Sequence, residues 1–237
     1  MVLKSDLPIT DIIQETSDVK TFRFGLTEPM EFKSGQFVLL RATVPVNGVA
    51  KPISRAFSIA SSPLSKEFID LTIRIYPDGA MSSYLDGNAK VGNKYRIEGP
   101  FGNFYYDESQ GKNVVFLAAG TGIAPLMGMI RYIFDKKLDT KVTLIYSSKT
   151  PEDIIYRKEL EQLMRHKNFK CILSITRPEG HTWNGPTGRV DDVMIKKYAH
   201  TLDAMFYVCG PPDMVGGTVA HLKSLNVDTK KIKLEQW

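Results

Sequence analysis

The sequence predicts two unlike domains: an antiparallel β-barrel over residues 1–108 and an α/β unit on a parallel sheet over residues 109–237. Two observations carry this. The first hundred residues hold many short runs rich in β-branched and aromatic residues, separated by turn chemistry, as in a small closed barrel. After the polar stretch DESQGKN (107–113), unbroken apolar runs alternate with amphipathic segments, which is the pattern of a parallel sheet covered on both faces.

Element by element, the first half reads as strands TFRFGL (21–26), QFVLLRA (36–42), RAFSIAS (55–61), FIDLTIRIY (68–76) and KYRIEG (94–99). Glu28-Pro29, Ser34-Gly35, Asn47-Gly48, Pro77-Asp78-Gly79 and Val91-Gly92-Asn93 supply the turns between them. One short helix, AMSSYLDG (80–87), interrupts the series. In the second half, strand VVFLAAG precedes helix IAPLMGMIRYIFDKK, and KVTLIYSS precedes a helix over PEDIIYRKELEQLMRHK. FKCILSITR precedes GRVDDVMIKKY after a loop, AMFYVCG precedes PPDMVGGTVAHLKSL, and KKIKLEQW closes the chain.

Bulk properties narrow the function classes. Hydrophobic content of 43% and charged content of 24% are those of an ordinary globular protein. No apolar run approaches the length of a membrane-spanning helix, and MVLKSDLPITDII lacks the apolar core of a secretory signal, so no membrane insertion and a cytoplasmic location are expected. Two cysteines are too few to ligate an iron–sulfur cluster from this chain alone, and the four histidines show no metal-site spacing, so no metal is expected. The net charge of +5 suits anionic ligands or an acidic partner but is too dispersed for nucleic acid.

Three stretches carry chemistry. In VVFLAAGTGIAPLMGMI a buried strand ends in Gly120-Thr121-Gly122 and a helix starts at once, with Pro125 in its first turn. Such a turn brings free amides and the positive end of a helix dipole to the strand's carboxyl edge, where a pyrophosphate binds. In YVCGPPDMV a second strand ends at the same kind of edge in Cys209-Gly210-Pro211. In RAFSIAS, Arg55 and Phe57 alternate in phase on one side of a strand with Ser58 on the other, and GAMSSYL places Gly79 and Ser82 at a short helix start.

Taken together these motifs resemble the ferredoxin–NADP+ reductase superfamily, closest in look to the reductase modules of bacterial multicomponent oxygenases. Its flavin motif R-x-[YF]-S-x-x-S matches Arg55, Phe57, Ser58 and Ser61. Its G-x-x-S matches Gly79 and Ser82, its GPFG matches Gly99 to Gly102, its GTGIAP matches Gly120 to Pro125, and its CGP matches Cys209 to Pro211. Order and gaps agree over essentially the whole chain.

The resemblance implies a flavin-binding barrel followed by a nicotinamide-dinucleotide domain, with the flavin in the cleft between them. It assigns Arg55 to the flavin pyrophosphate, Phe57 with neighbouring Ala56 to the isoalloxazine, and Ser58 to the vicinity of N5. Ile73 and Arg74 would flank the flavin, and Gly79, Ala80, Met81 and Ser82 would close on its pyrophosphate. That second phosphate pocket favours FAD over FMN. Gly120, Thr121, Gly122 and Pro125 would receive NADH or NADPH, with Cys209, Gly210 and Pro211 beside the nicotinamide and Glu235 near the hydride path. Ser58, Cys209 and Glu235 are thus the expected catalytic set, orienting rings and tuning charge. The adenosine end would meet Ser147, Ser148, Lys149 and Arg177, with the choice between NADH and NADPH left open. Trp237 would lie either over the flavin or on the surface. The implied activity is hydride transfer from NAD(P)H to FAD and single-electron transfer to an external acceptor such as a ferredoxin or other iron–sulfur protein. An electron-transfer subunit of a larger complex and a free-flavin or ferric reductase are the alternatives.

Overall fold

The computed structural model describes residues 2–46 and 48–236. They form two compact units: Met1–Tyr106 with Met127–Lys136, and Asp107–Leu126 with Lys137–Trp237.

The first unit is one curled antiparallel sheet of six strands: β1 (Leu3–Thr16), β2 (Val19–Gly25), β3 (Phe37–Val46), β4 (Val49–Ser58), β5 (Phe68–Arg74) and β6 (Lys94–Phe101). Their order is β4-β3-β6-β1-β2-β5. Helix α1 (Ala80–Asn88) lies between β5 and β6 in sequence. Alternate side chains point inward, as strand geometry requires, so Leu7, Phe22, Phe24, Leu40, Ile69, Leu71 and Ile97 build one core. The expected closed barrel is instead a half-barrel. Past the end of β4 the two sheet edges meet through the isolated bridge Ile59↔Leu71, the Ala60 N–H to Asp70 carbonyl bond (2.9 Å) and the Asp70 N–H to Ser61 hydroxyl bond (3.1 Å).

Strand β1 escapes the sequence reading because it does not alternate along its length. Leu3–Pro8 pairs with β6, and the chain then shifts register near Ile9 and pairs with β2 from there to Thr16. Pro8 falls at the changeover, where a missing N–H costs least.

The segment 127–136 groups with this unit and reaches the Ile59–Ser61 stretch and Asp70 of β5. Gly128 is required there, since a Cβ would lie 2.7 Å from the Ile59 carbonyl oxygen. Arg131 donates to the Ala60 carbonyl (2.8 Å) and lies 3.8 Å from the carboxylate of Asp70, which also takes a two-pronged contact from Arg23 (2.8 and 3.0 Å).

The second unit is a five-stranded parallel sheet of β7 (Asn113–Ala119), β8 (Lys141–Ser148), β9 (Phe169–Ile175), β10 (Met205–Gly210) and β11 (Ile232–Gln236), in the order β11-β10-β7-β8-β9. Helix α2 (Ile123–Asp135) begins after β7, and α3 (Arg157–Leu163), α4 (Asp192–Tyr198) and α5 (Pro212–Ser224) follow β8, β9 and β10. Met194 and Ile195 of α4 and Val215 and Leu222 of α5 cover Val115, Leu117, Ile145, Phe206 and Val208 on one sheet face. The chain builds outward from β7 to β9 and then returns to add β10 on the other side of β7. The switch point of the sheet is therefore between β7 and β10, where open α/β sheets bind ligands.

The helix expected over 151–167 is shorter than its apolar pattern suggested. Pro151–Asp153 is a 3-10 turn closed by a capping box between Thr150 and Asp153, and Tyr156 adopts a left-handed conformation (φ 58°) that delays α3 to Arg157. Among the described residues no helix is long and apolar enough to cross a membrane.

Candidate functional site

In the first unit, five of the six arginines are tied to carboxylates: Arg23 and Arg131 to Asp70, Arg41 to Glu98, Arg74 to Asp18 and Arg96 to Asp6. Arg55 is exposed, has no carboxylate partner among the described residues, and donates only to the adjacent Ser54 carbonyl (2.9 Å). A guanidinium left unneutralised in a fold that pairs the others suits a phosphate. Phe57, two residues on along β4, packs partly against the core and remains half-exposed, as does Ser58, while Ala56 is exposed.

The Gly79 turn explains its own sequence. A Cβ at Gly79 would lie 2.5 Å from the Ser82 hydroxyl, so glycine there makes room for the serine. That hydroxyl faces the turn: it accepts from the Tyr76 N–H (3.1 Å) and lies 3.3 Å from the Gly79 carbonyl. Met81 is buried in the core. The amides of Ala80, Met81 and Ser82, in the first turn of α1, have no acceptor within the helix and are the groups this turn can offer an anion. Ile73 is buried with its side chain in the core, and Arg74 turns to Asp18. Both side chains are engaged within the fold. Ser61, the last serine of the flavin motif, is a buried strap whose hydroxyl accepts from the Asp70 N–H (3.1 Å).

In the second unit, the β7 end forms a 3-10 turn, Gly120–Gly122, which runs directly into α2. Gly120 sits in the left-handed region (φ 55°), where a glycine is favoured. Pro125 is buried in the first turn of α2. Across the switch point, β10 ends at Cys209 and Gly210, and Cys209 lies opposite Ala118 of β7 and Glu235 of β11. Pro211 is exposed at the start of α5. Ala119 pairs with Ser147 on the other side. The register thus brings the Gly120 turn, the Cys209-Gly210-Pro211 turn and Ser147 to one edge of one sheet. Lys149 and Arg177 continue the β8–β9 ladder past its end through an Arg177 N–H to Lys149 carbonyl bond (2.8 Å), and both side chains are exposed. Ser148 beside them is buried with no partner for its hydroxyl. Trp237 lies outside the described residues, as does Asn47 of the expected turn between β3 and β4.

Sequence reasoning missed Tyr146, which is fully buried on β8 and whose hydroxyl donates to the Gly120 carbonyl (3.1 Å). It also missed Asp70 and its arginines. Both are polar groups inside apolar runs, and an isolated polar residue in a strand is the signal that would have found them.

Both thiols are kept protonated. Burial pushes the Cys209 thiol well above its ordinary value, with the Glu235 carboxylate adding to the effect, and burial pushes Cys171 up to about 12. A thiol held neutral is a poor nucleophile. Iodoacetamide at pH 8.5 is expected to leave both cysteines unmodified in the folded chain and to alkylate both in urea, as read by intact mass; modification of folded Cys209 would remove it from the sheet interior. Among the described residues no cluster of three His, Cys, Asp or Glu side chains is placed to hold a metal.

A curled antiparallel sheet followed by a parallel sheet with a glycine turn at its switch point is the two-domain architecture of FAD- and NAD-binding oxidoreductases. The family models agree: residues 6–106 match the oxidoreductase FAD-binding domain and residues 116–220 the oxidoreductase NAD-binding domain. The chain belongs to the ferredoxin–NADP+ reductase-like family of FAD- and NAD-binding oxidoreductases. It is 33% identical over 223 residues to the glycine betaine monooxygenase reductase subunit of Chromohalobacter salexigens, covering 92% of this chain and 60% of that one. It is 31% identical over 222 residues to NADH-cytochrome b5 reductase 1 of Dictyostelium discoideum, covering 91% of this chain and 76% of that one. The chain thus spans about three fifths of the monooxygenase reductase subunits it matches. The fold superposes on a ferredoxin NADP+ reductase from Neisseria gonorrhoeae with a TM-score of 0.80 at 24% identity, covering 98% of each chain.

Proposed function

We propose that this protein is an NAD(P)H-dependent flavoprotein reductase that draws a hydride from a nicotinamide dinucleotide and delivers single electrons to an external acceptor such as a ferredoxin or iron–sulfur protein. The observation that carries the reading is the presence in one chain of an FAD-binding and an NAD-binding domain, each with a glycine turn that leads into a helix. Bound FAD supplies the step from two-electron to one-electron chemistry. Arg55 and the first-turn amides of α1 would hold its pyrophosphate, and Phe57 would offer an aromatic face to its ring. The Gly120–Gly122 turn would take the dinucleotide pyrophosphate. Cys209, buried and neutral, shapes the edge beside the nicotinamide without transferring a proton, and Glu235 on the neighbouring strand contributes charge there. Ser58 would orient the flavin ring from β4.

The adenosine end favours NADPH. Of the two carboxylates that follow β8, Asp153 accepts from the N–H and hydroxyl of Thr150, as the cap of a 3-10 turn, and Glu152 lies against His181 (3.0 Å). Lys149 and Arg177, side by side and without carboxylate partners among the described residues, suit a 2′-phosphate.

Anaerobic titration of the FAD-loaded protein with NADH and NADPH in parallel tests the whole reading. Bleaching of the flavin band by either dinucleotide is the expected result, with NADPH the tighter. Arg177→Glu is expected to raise KM for NADPH at least tenfold and to leave that for NADH nearly unchanged. A purified chain that stays unbleached with both dinucleotides, with and without a ferredoxin, would sink the proposal; bleaching only after a partner subunit is added would make it a component of a larger complex.

A further inference from the structure

We infer that the Tyr146 hydroxyl is a positioning group for the dinucleotide: it sets which way the Gly120–Thr121 peptide faces. The inference rests on the assignment of the Gly120–Gly122 turn to the dinucleotide pyrophosphate.

Tyr146 is among the largest fully buried side chains of the protein and belongs to β8, the strand beside β7. Its hydroxyl donates to the Gly120 carbonyl (3.1 Å) and lies 3.4 Å from the Ile155 N–H, so it joins the turn after β7 to the segment after β8. The same Gly120 carbonyl also receives the Ile123 N–H at the start of α2. In a trans peptide the carbonyl and the following N–H point in opposite directions. Drawing the Gly120 oxygen toward a buried hydroxyl therefore directs the Thr121 N–H the other way, away from the sheet interior.

A device of this kind is needed because Gly120 has a choice. With no Cβ and a φ of 55°, its peptide has little steric preference between the two orientations. In one, a donor faces the anion site. In the other, a carbonyl oxygen does, and its partial negative charge repels a pyrophosphate. The tyrosine adds to the Ile123 N–H contact in favouring the first, by about the energy of one buried hydrogen bond.

The test is Tyr146→Phe, which removes one oxygen and keeps the ring that fills the core. ADP-ribose is the probe, since it carries the pyrophosphate without the nicotinamide, and its Kd is read by calorimetry. The expected result is a Kd for ADP-ribose and a KM for NAD(P)H raised about tenfold, with the loss falling on binding and not on kcat at saturation. A lowered melting temperature with Kd and KM at wild-type values would make the hydroxyl purely structural and overturn the inference.

If the phenylalanine variant does not fold, amide exchange in the wild type decides. A Thr121 N–H that ADP-ribose protects supports the inference, and one whose exchange ADP-ribose leaves unchanged overturns it. Wild-type protein that is bleached by NAD(P)H and binds ADP-ribose, with a variant identical to it, would defeat this inference alone. Wild-type protein that binds no ADP-ribose would defeat the dinucleotide assignment as well.

Discussion

Replacing Asp70 by alanine is expected to cost about 3 kcal/mol of stability, the low end of what breaking a buried ion pair costs. The Asp70 side chain is 3% exposed and faces two guanidiniums, Arg23 in two-pronged contact and Arg131 at 3.8 Å. Its removal leaves both cations without their carboxylate. The cost falls at the low end because Arg23 keeps 32% of its side-chain surface in water, which screens the loss. Two further bonds pass through the backbone of the same residue: the Asp70 N–H to the Ser61 hydroxyl, and the Ala60 N–H to the Asp70 carbonyl. The carboxylate therefore sits where the two edges of the half-barrel meet, and its loss should loosen that seam first. Thermal melts followed by circular dichroism are expected to show a drop on the order of 10 °C for Asp70→Ala. Asp70→Asn, which keeps the shape without the charge, should fall between. Arg23→Ala in the Asp70→Ala background should cost little more, because the pair is already broken. A melting temperature within 2 °C of wild type for Asp70→Ala would mean the seam is held by apolar packing alone.

This seam also marks where the sequence stops being legible. Strands β2, β3, β5 and β6 and the whole parallel sheet could be read because period-two alternation and unbroken apolar runs are local properties of a few residues. The many short strands suggested a closed barrel, but how far the edges meet was not legible, because it depends on the Ile59–Leu71 bridge and the backbone bonds of Asp70 to Ala60 and Ser61, residues that show no sign of each other in the chain. Helix α2 shows the same limit differently. Its apolar residues announced a helix, yet periodicity says which face is buried and not which core covers it, and residues 127–136 group with the first unit. Strand β1 changes partners midway, so neither half is long enough to show a clean pattern. Glycine and proline signals located the turns at Gly79, Gly120 and Gly210, because backbone freedom is written in residue type. The direction of individual side chains was not so written. Ser82 turns into its own loop and Arg74 turns to Asp18, each choosing a partner that only the folded chain brings near.

Arg55→Ala is expected to leave the purified protein nearly colourless. The physical case is one of contrast within a single unit. Arg23, Arg41, Arg74, Arg96 and Arg131 each have a carboxylate at 4 Å or less, and their charges are spent on the fold. Arg55 spends its charge on nothing but a neighbouring carbonyl, so its removal should leave the fold intact. In the proposed complex it meets a pyrophosphate, and a charge-assisted hydrogen bond of that kind contributes about 1.5–3 kcal/mol. Its loss would weaken flavin binding roughly ten- to a hundredfold, enough to strip the cofactor during purification. Arg55→Lys keeps the charge without the planar fork and should retain part of the flavin. The absorbance ratio of the flavin band to the protein band reads the outcome, and circular dichroism checks that the alanine variant is folded. Added FAD should restore colour to the variant only at high concentration, which separates weak binding from a damaged site. A folded Arg55→Ala protein that retains its flavin through gel filtration would remove Arg55 from the phosphate site and leave the first-turn amides of α1 as its main donors.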